Sequence, residues 1–486
     1  MLLSEFSLSQ VPCFSRAPEI NKRPRITRPG RHGSAHAHVK LSAVALPQDT
    51  GQRAPGRLAA RTIEIPDPGD LVDLLPEPAG VAWIRHGDGL AGWGETARTT
   101  LPAGEDRFTA GEKWLRELFD GAEIEDQVAE PGTGPVAFGS FTFDSASDGS
   151  VLVVPETIVG RSGGRSWLTT IRPLAAPDIP GAARSWPAAG TPLRPGTLGG
   201  PGQAPALTAP AEIRWHDGSL TAPEWQRAVA TAVQRIKDGE LSKVVLARDL
   251  YATAARDLDI RVILRRLAGR YPDCYTFACA NLVGATPELL IRRQDDDVSS
   301  LVLGGTAPRG RDEAEDARLG AALLASAKER EEHEYAVVGV RAVLAARCDQ
   351  LKIESAPSLR RFANVQHLAT WITGRLDAGQ AASEHSVLAL ADALHYTPAV
   401  CGTPAETAME LIRDLEVMDR GRYAGPVGWV DARGNGEWGI ALRCAQVDGR
   451  RARLFAGCGI VAGSDPEAEL AETQAKFAAM QFALEA

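Results

Sequence analysis

Cysteine is scarce and unpatterned in this chain. Its seven cysteines are scattered over 486 residues, odd in number and without a CxxC pair. That excludes a disulfide framework and a cysteine-built zinc site, and it points to reduced thiols in a cytoplasmic protein. Long apolar runs are also missing. None approaches the roughly 18 residues that cross a bilayer, so no membrane partner is expected. Basic charge is not in excess: with a net charge of −9, the chain lacks the electrostatic footprint of a nucleic-acid binder. No unit of about 20–50 residues recurs, which excludes a solenoid or propeller. What is present, 44% hydrophobic and 24% charged residues, is the composition of a globular fold. The length allows one large domain or two ordinary ones.

Residues 1–58 stand apart. They hold nine Lys/Arg against Glu5, Glu19 and Asp49 and show no periodicity, so they read as a flexible basic extension. No apolar h-region marks a secretory signal. An Arg-rich, acid-poor start suits an organelle transit peptide, but a start assigned too far upstream is the preferred reading. Folded sequence is expected from residue 59 onward, with short apolar segments at Val81–Ile84, Val136–Phe143 and Val151–Val154 forming antiparallel strands in a first part, 59–210. Residues 186–210, rich in Pro, Gly and Ala, read as a loop. In the second part, 221–486, Thr221 and Glu224 fit a capping box with Pro223 in the first turn, opening a helix that stops at Gly239. Strands are expected at Lys243–Ala247, Tyr275–Asn281 and Leu289–Arg293. One long amphipathic helix is expected over 312–347, its apolar side carrying Leu319, Leu323, Val337, Val340 and Leu344. Asn435-Gly436 and Asp448-Gly449 read as hairpin turns joining strands 426–431, 437–447 and 451–461. Ser464 and Glu467 form a second capping box around Pro466, opening the last helix. Strands outnumber helices and connect by hairpins, which predicts an α+β fold with helices flanking antiparallel sheets.

Several residue types in this pattern suit chemistry. Glu329 and Glu332 share a helix face, and Glu469 and Glu472 repeat the spacing on another helix, with Lys476 one turn further on. Brought together, the two pairs could hold a hard cation such as Mg2+; apart, they are ordinary solvated helix faces. His333 is better read as a packed or surface histidine than as a ligand, because Mg2+ prefers oxygen. Lys243 opens an apolar strand. It is either a lysine of depressed pKa able to act as a base, or an ammonium that snorkels to the strand end. Glu288, between Pro287 and two leucines, is either a desolvated acid protonated near neutrality or an exposed turn residue. Gly304-Gly305-Thr306 and Gly457-Cys458-Gly459 either bring backbone N–H groups to an anion or mark strand bends.

Taken in order, the segments resemble the chorismate-utilising family, whose members include isochorismate, salicylate, anthranilate and aminodeoxychorismate synthases. The blocks are SKVVLAR (242–248), GATPELL (284–290), GGTAPR (304–309), KEREEHE (328–334), QHLAT (366–370), HYTPAVCGTP (395–404), DRGRYAGPVG (419–428), GEWGIALRC (436–444) and the stretch 455–476. The resemblance implies one domain of two large antiparallel β-sheets flanked by helices. It implies that Glu332 and Glu472 ligate Mg2+, with Glu329 and Glu469 completing the acidic site through water. Backbone N–H groups near Gly305, Thr306 and Gly457 would help hold the ring carboxylate of chorismate. His367 would line the ring site, and Tyr423, Arg443 and Lys476 would take the enolpyruvyl carboxylate.

Within the family, the resemblance points to isochorismate formation, with Lys243 as base for water at C2 and Glu288 as acid for the departing C4 hydroxyl. Amination enzymes usually carry Gln at the position of Lys243, and salicylate formers tend to carry Thr at that of Ala399. The run His395–Val400 looks like the catechol-siderophore type. Salicylate synthase is the alternative, ahead of an aminating component. A ligand-binding relative without activity would need a broken acid, base or metal residue, and none is broken. The expected protein is a monomer with no obligatory glutamine amidotransferase partner.

Overall fold

The computed structural model describes residues 57–76, 80–174, 207–363, 365–377 and 386–485. The expected extension up to Gly56 and most of the loop assigned to 186–210 lie outside the described residues. Residue 58, counted above with the extension, belongs to the first strand: Leu58–Ile65 begins with a fully buried leucine.

Among the described residues, two sheets of thirteen and ten strands dominate. They are antiparallel except where Leu58–Ile65 lies parallel to Glu123–Asp126. The centre of the larger sheet runs Lys243–Thr253, Arg451–Ile460, Cys444–Asp448, Leu282–Thr286, Tyr275–Cys279 and Val81–Arg85. The centre of the smaller sheet runs Val365–Leu376, Asp297–Pro308, Leu289–Gln294, Gly436–Ile440, Pro426–Asp431 and Val136–Ser140. Strands of the first part thus continue both sheets instead of forming a separate layer. Among them Lys243–Thr253, Leu282–Thr286 and Pro426–Asp431 are buried along most or all of their length, as strands covered on both faces must be. Helix Ala327–Ala345 packs on Asp297–Pro308 and helix Pro466–Glu485 on Arg451–Ile460. Among the described residues no helix is long and apolar enough to cross a membrane. Six described cysteines are unbonded, five of them buried.

Five local expectations need correction. The helix expected over 312–347 is two helices, Glu313–Ala325 and Ala327–Ala345. Ser326 adopts extended backbone between them and caps the second by accepting from the Glu329 N–H; a serine competes with helix continuation by bonding the backbone locally. The strand expected over 437–447 is also two. Gly436–Ile440 lies in the smaller sheet and Cys444–Asp448 in the larger. The first hairpin closes through 431–435, where the Asp431 carboxylate accepts from Asn435 N–H and Gly434 takes φ +80°, so Asn435-Gly436 is not the turn. The second closes at Gly449-Arg450 beside the expected pair. The last helix is capped by Asp465, not Ser464. Its carboxylate accepts from the N–H groups of Glu467 and Ala468, while the Ser464 hydroxyl turns back to Val461. By contrast, Glu224 accepts from both N–H and hydroxyl of Thr221, and helix Ala222–Lys237 ends before Gly239 at φ +81°.

Candidate active site

Two of the places where the chain steps from one sheet to the other lie side by side. Leu282–Thr286 of the larger sheet continues through Pro287-Glu288 into Leu289–Gln294 of the smaller; Gly436–Ile440 continues through Ala441-Leu442-Arg443 into Cys444–Asp448. Backbone hydrogen bonds join them, from Ala285 N–H to Arg443 O and from Ile440 N–H to Glu288 O, each 3.2 Å. Arg443 makes its step at φ +46°, a left-handed conformation uncommon outside glycine. Glu288 and Arg443 therefore face the cleft on adjacent chain crossings.

The fourteen residues expected to build the site all line that one cleft: Lys243 and Glu288; Glu329, Glu332, Glu469 and Glu472; and Gly305, Thr306, His367, Ala399, Tyr423, Arg443, Gly457 and Lys476. It encloses about 970 Å3 of empty space including its mouth, enough for a small polar ligand. Lys243 is only 2% exposed, and its ammonium lies 3.0 Å from Glu332 Oε1. It does not snorkel to solvent. Burial acts against the Glu332 charge, but the neighbouring Lys243 ammonium outweighs it and holds the carboxyl below the usual range. Glu288 is 7% exposed, and burial pushes it up to about 7 despite the positive charges of Arg443, Lys243 and Lys476. It is thus the desolvated acid rather than the exposed turn residue.

The opposite wall is acidic. Burial and the charge of Glu332 raise Glu329, and burial with the charge of Glu472 raises Glu469. Lys328 lies 3.5 Å from Glu469 and 3.8 Å from Glu329, and Lys476 lies 2.6 Å from Glu472. Among the described residues no three acidic, histidine or cysteine side chains converge as a ready ligand set. A small hard dication that keeps most of its water needs only one or two carboxylates. The all-oxygen donors fit such an ion, as does the cleared backbone beside them: a Cβ on Gly459 would stand 2.2 Å from Glu332 Oε1, and one on Gly305 2.9 Å from Glu329 Oε2.

The ring side is fixed by a bulge. Gly305, at φ +60°, interrupts the register between Gly304 and Thr306. This turns Thr306 N–H toward Glu329 Oε2 at 3.1 Å and sets Thr306 opposite His367. His367 Nδ1 lies 2.9 Å from Gly305 O, which assigns it the proton, so Nε2 accepts from Arg443 at 3.2 Å. Burial and the Arg443 charge push His367 down to about 3, so the ring is neutral. Tyr423 stacks on Phe455 with ring centres 5.0 Å apart. Lys476 donates to Gly457 O at 2.7 Å; burial opposes its charge, yet Glu472 holds it above its ordinary range. His333 is outside the cleft, bonded to Thr370 Oγ1 at 2.7 Å and pushed down to about 4 chiefly by burial. It is a packed histidine.

Further lining residues, Lys328, Arg420 and Phe455 among them, were given no role from the sequence. All three sit within quoted blocks, but their residue types alone do not separate a cleft-lining side chain from any other. Gly459 was noted with Gly457, two positions earlier on the same strand face, without being tied to the acidic wall.

A sequence model of the chorismate binding enzyme family matches residues 83–485, and the chain belongs to that family. Isochorismate synthase DhbC of Bacillus subtilis is 40% identical over 311 residues, covering 57% of this chain and 77% of the relative. Isochorismate synthase MenF of the same organism is 33% identical over 398 residues, covering 78% and 80%. The menaquinone-specific isochorismate synthase MenF of Escherichia coli superimposes with a TM-score of 0.67 at 23% identity, over 89% of this chain and 96% of that one. That likeness speaks to the fold.

Proposed function

We propose that the protein is an isochorismate synthase: it adds water at C2 of chorismate, shifts the double bonds and expels the C4 hydroxyl. The observation that carries this is Lys243 in one cleft with the buried acid Glu288, in a chain whose relatives carry the same activity in their names. Lys243, in the neutral amine form that the reaction requires, takes the proton from the attacking water. Glu288, with a pKa of about 7, keeps a proton near neutrality and gives it to the departing hydroxyl. Burial with graded neighbours is how one site runs acid and base chemistry together. Arg443, Tyr423 and Lys476 take the enolpyruvyl carboxylate, the guanidinium by paired hydrogen bonds. Backbone N–H groups around Gly305, Thr306 and Gly457 orient the ring carboxylate, and His367 and Ala399 shape the ring site.

Glu332 and Glu472 would hold Mg2+, with Glu329 and Glu469 completing the site through water. The ion supplies positive charge that orients the ring carboxylate and stabilises developing negative charge. With water as nucleophile, no ammonia-supplying partner is required. The test is incubation with chorismate and Mg2+, with and without ammonium, followed by chromatographic separation of products. Isochorismate alone, unchanged by ammonium, is the expected result. An aminated product, or pyruvate released with salicylate, would overturn it.

A further inference from the structure

Behind the cleft lies a second, much smaller space. It offers only about 10 Å3 to the centre of a water molecule and is lined by Tyr271, Cys274, Ala285, Phe362, Val365 and Ala479, together with Pro287 and Arg443. Pro287 and Arg443 are also walls of the cleft. On its far side, Tyr271 and Phe362 are shared with a surface hollow of about 240 Å3, open to water centres, whose rim includes the exposed side chains Arg270, Asp273 and Arg361. The three spaces follow one another through shared walls. The middle one is near the least volume that holds a single water, and a buried water also needs two to four polar partners. Three of the lining residues, Tyr271, Cys274 and Arg443, carry polar side chains. Arg443 lines both this space and the cleft, where its guanidinium bonds His367. Chorismate cannot enter so narrow a space; water can.

We propose that this space is a water passage, through which the water formed from the C4 hydroxyl leaves while the organic ligand still fills the cleft. The inference rests on the isochorismate synthase reading. In that reaction the C–O bond to water forms at C2 and its proton goes to Lys243. The C4–O bond breaks, and the hydroxyl takes the Glu288 proton to become water. Glu288 follows Pro287, a wall common to the cleft and the passage. Product water therefore forms beside the inner end of the passage. The cleft's mouth serves the ligand, and the ligand itself obstructs it during turnover.

The test follows oxygen exchange at chemical equilibrium. Chorismate and isochorismate are equilibrated with the Mg2+-loaded enzyme and transferred to 18O-water, and label entry is measured at C4 of chorismate and C2 of isochorismate. Wild type should label both positions at similar rates. In Ala479→Leu, which fills the passage from outside the catalytic machinery, the water formed at C4 is caged and returns. The C4-to-C2 ratio should then fall several-fold. Phe362→Ala, which widens the passage, keeps the ratio near the wild-type value and serves as the control for altered packing at that wall. A general loss of structure would slow both positions alike and leave the ratio unchanged. Should Ala479→Leu fail to fold, Ala479→Val makes the same comparison. An unchanged ratio in a folded, active narrowed variant overturns the passage. Wild-type enzyme that takes up no label at C2 overturns the underlying reading instead.

Discussion

Lys243 pairs with a carboxylate, and Glu288 is buried to all but 7% with no ion-pair partner within reach among the described residues; their surroundings set what each can do. Replacing Lys243 by Gln keeps the volume and removes the base. The rate of hydration should fall by about 10^2–10^4-fold, while calorimetry on the variant should still register chorismate binding within a few-fold of wild type; near-normal turnover would remove Lys243 from the mechanism. For Glu288 the sign is set by a folded pKa near 7, above its ordinary 4.5. The protonated acid is present below that value and lost as pH rises through it. We expect kcat/KM to decline above about pH 7, and Glu288→Gln to abolish that limb along with most activity. The same shift acts on stability. Between 4.5 and 7 the native state holds a proton the unfolded chain has released, so this group's contribution falls as pH rises across that window. Denaturation midpoints of Glu288→Gln should therefore drop less between pH 5 and 8 than those of wild type. Of all this, the sequence made the residue types and order readable. It left open whether either side chain was buried, because burial here comes from strands and crossings far away in the chain.

At the scale of elements, the acidic wall depends on where helices start. Ser326 ends one helix and caps the next, whose first two turns carry Glu329 and Glu332. Ser326→Ala should cost about 1 kcal/mol in chemical denaturation and should weaken Mg2+ binding in a calorimetric titration by loosening that turn. A Mg2+ affinity equal to wild type would show that the cap serves stability alone. Gly459→Ala acts on the same carboxylate from the facing strand. With a Cβ due 2.2 Å from Glu332 Oε1, the side chain must swing away, and Mg2+ affinity should fall at least ten-fold. Caps were partly legible. Thr221 was identified because its box stands alone, whereas Ser464 lost to Asp465, one residue nearer the first turn. The break at Ser326 was hidden because apolar periodicity continues across it, and one serine inside such a pattern is no signal by itself.

At the scale of the molecule, a two-sheet α+β fold could be read from short strands, hairpin turns and the ordered family blocks. The assignment of strands to sheets could not. Nothing in the run 437–447 marks where one sheet is left and the other entered, because the strand on either side is equally apolar and the step is made by an ordinary arginine in an uncommon backbone conformation. Two measurements belong at this scale. Exhaustive EDTA treatment should abolish turnover and added Mg2+ restore it; activity surviving chelation would contradict the metal site. A chain beginning at Arg57, whose guanidinium already bonds Gly121 O and Glu123, should fold and turn over chorismate like the full protein, as judged by circular dichroism and the product assay.

The paired crossings near Glu288 and Arg443 have a consequence for redesign. Because each step is hydrogen-bonded to its neighbour and each feeds both sheets, the proton donor and the guanidinium move as a unit or not at all. Attempts to retune this catalyst toward another nucleophile should leave that seam alone and work on the separately anchored walls, at positions 243 and 399, where a side chain can be exchanged without shifting its counterpart.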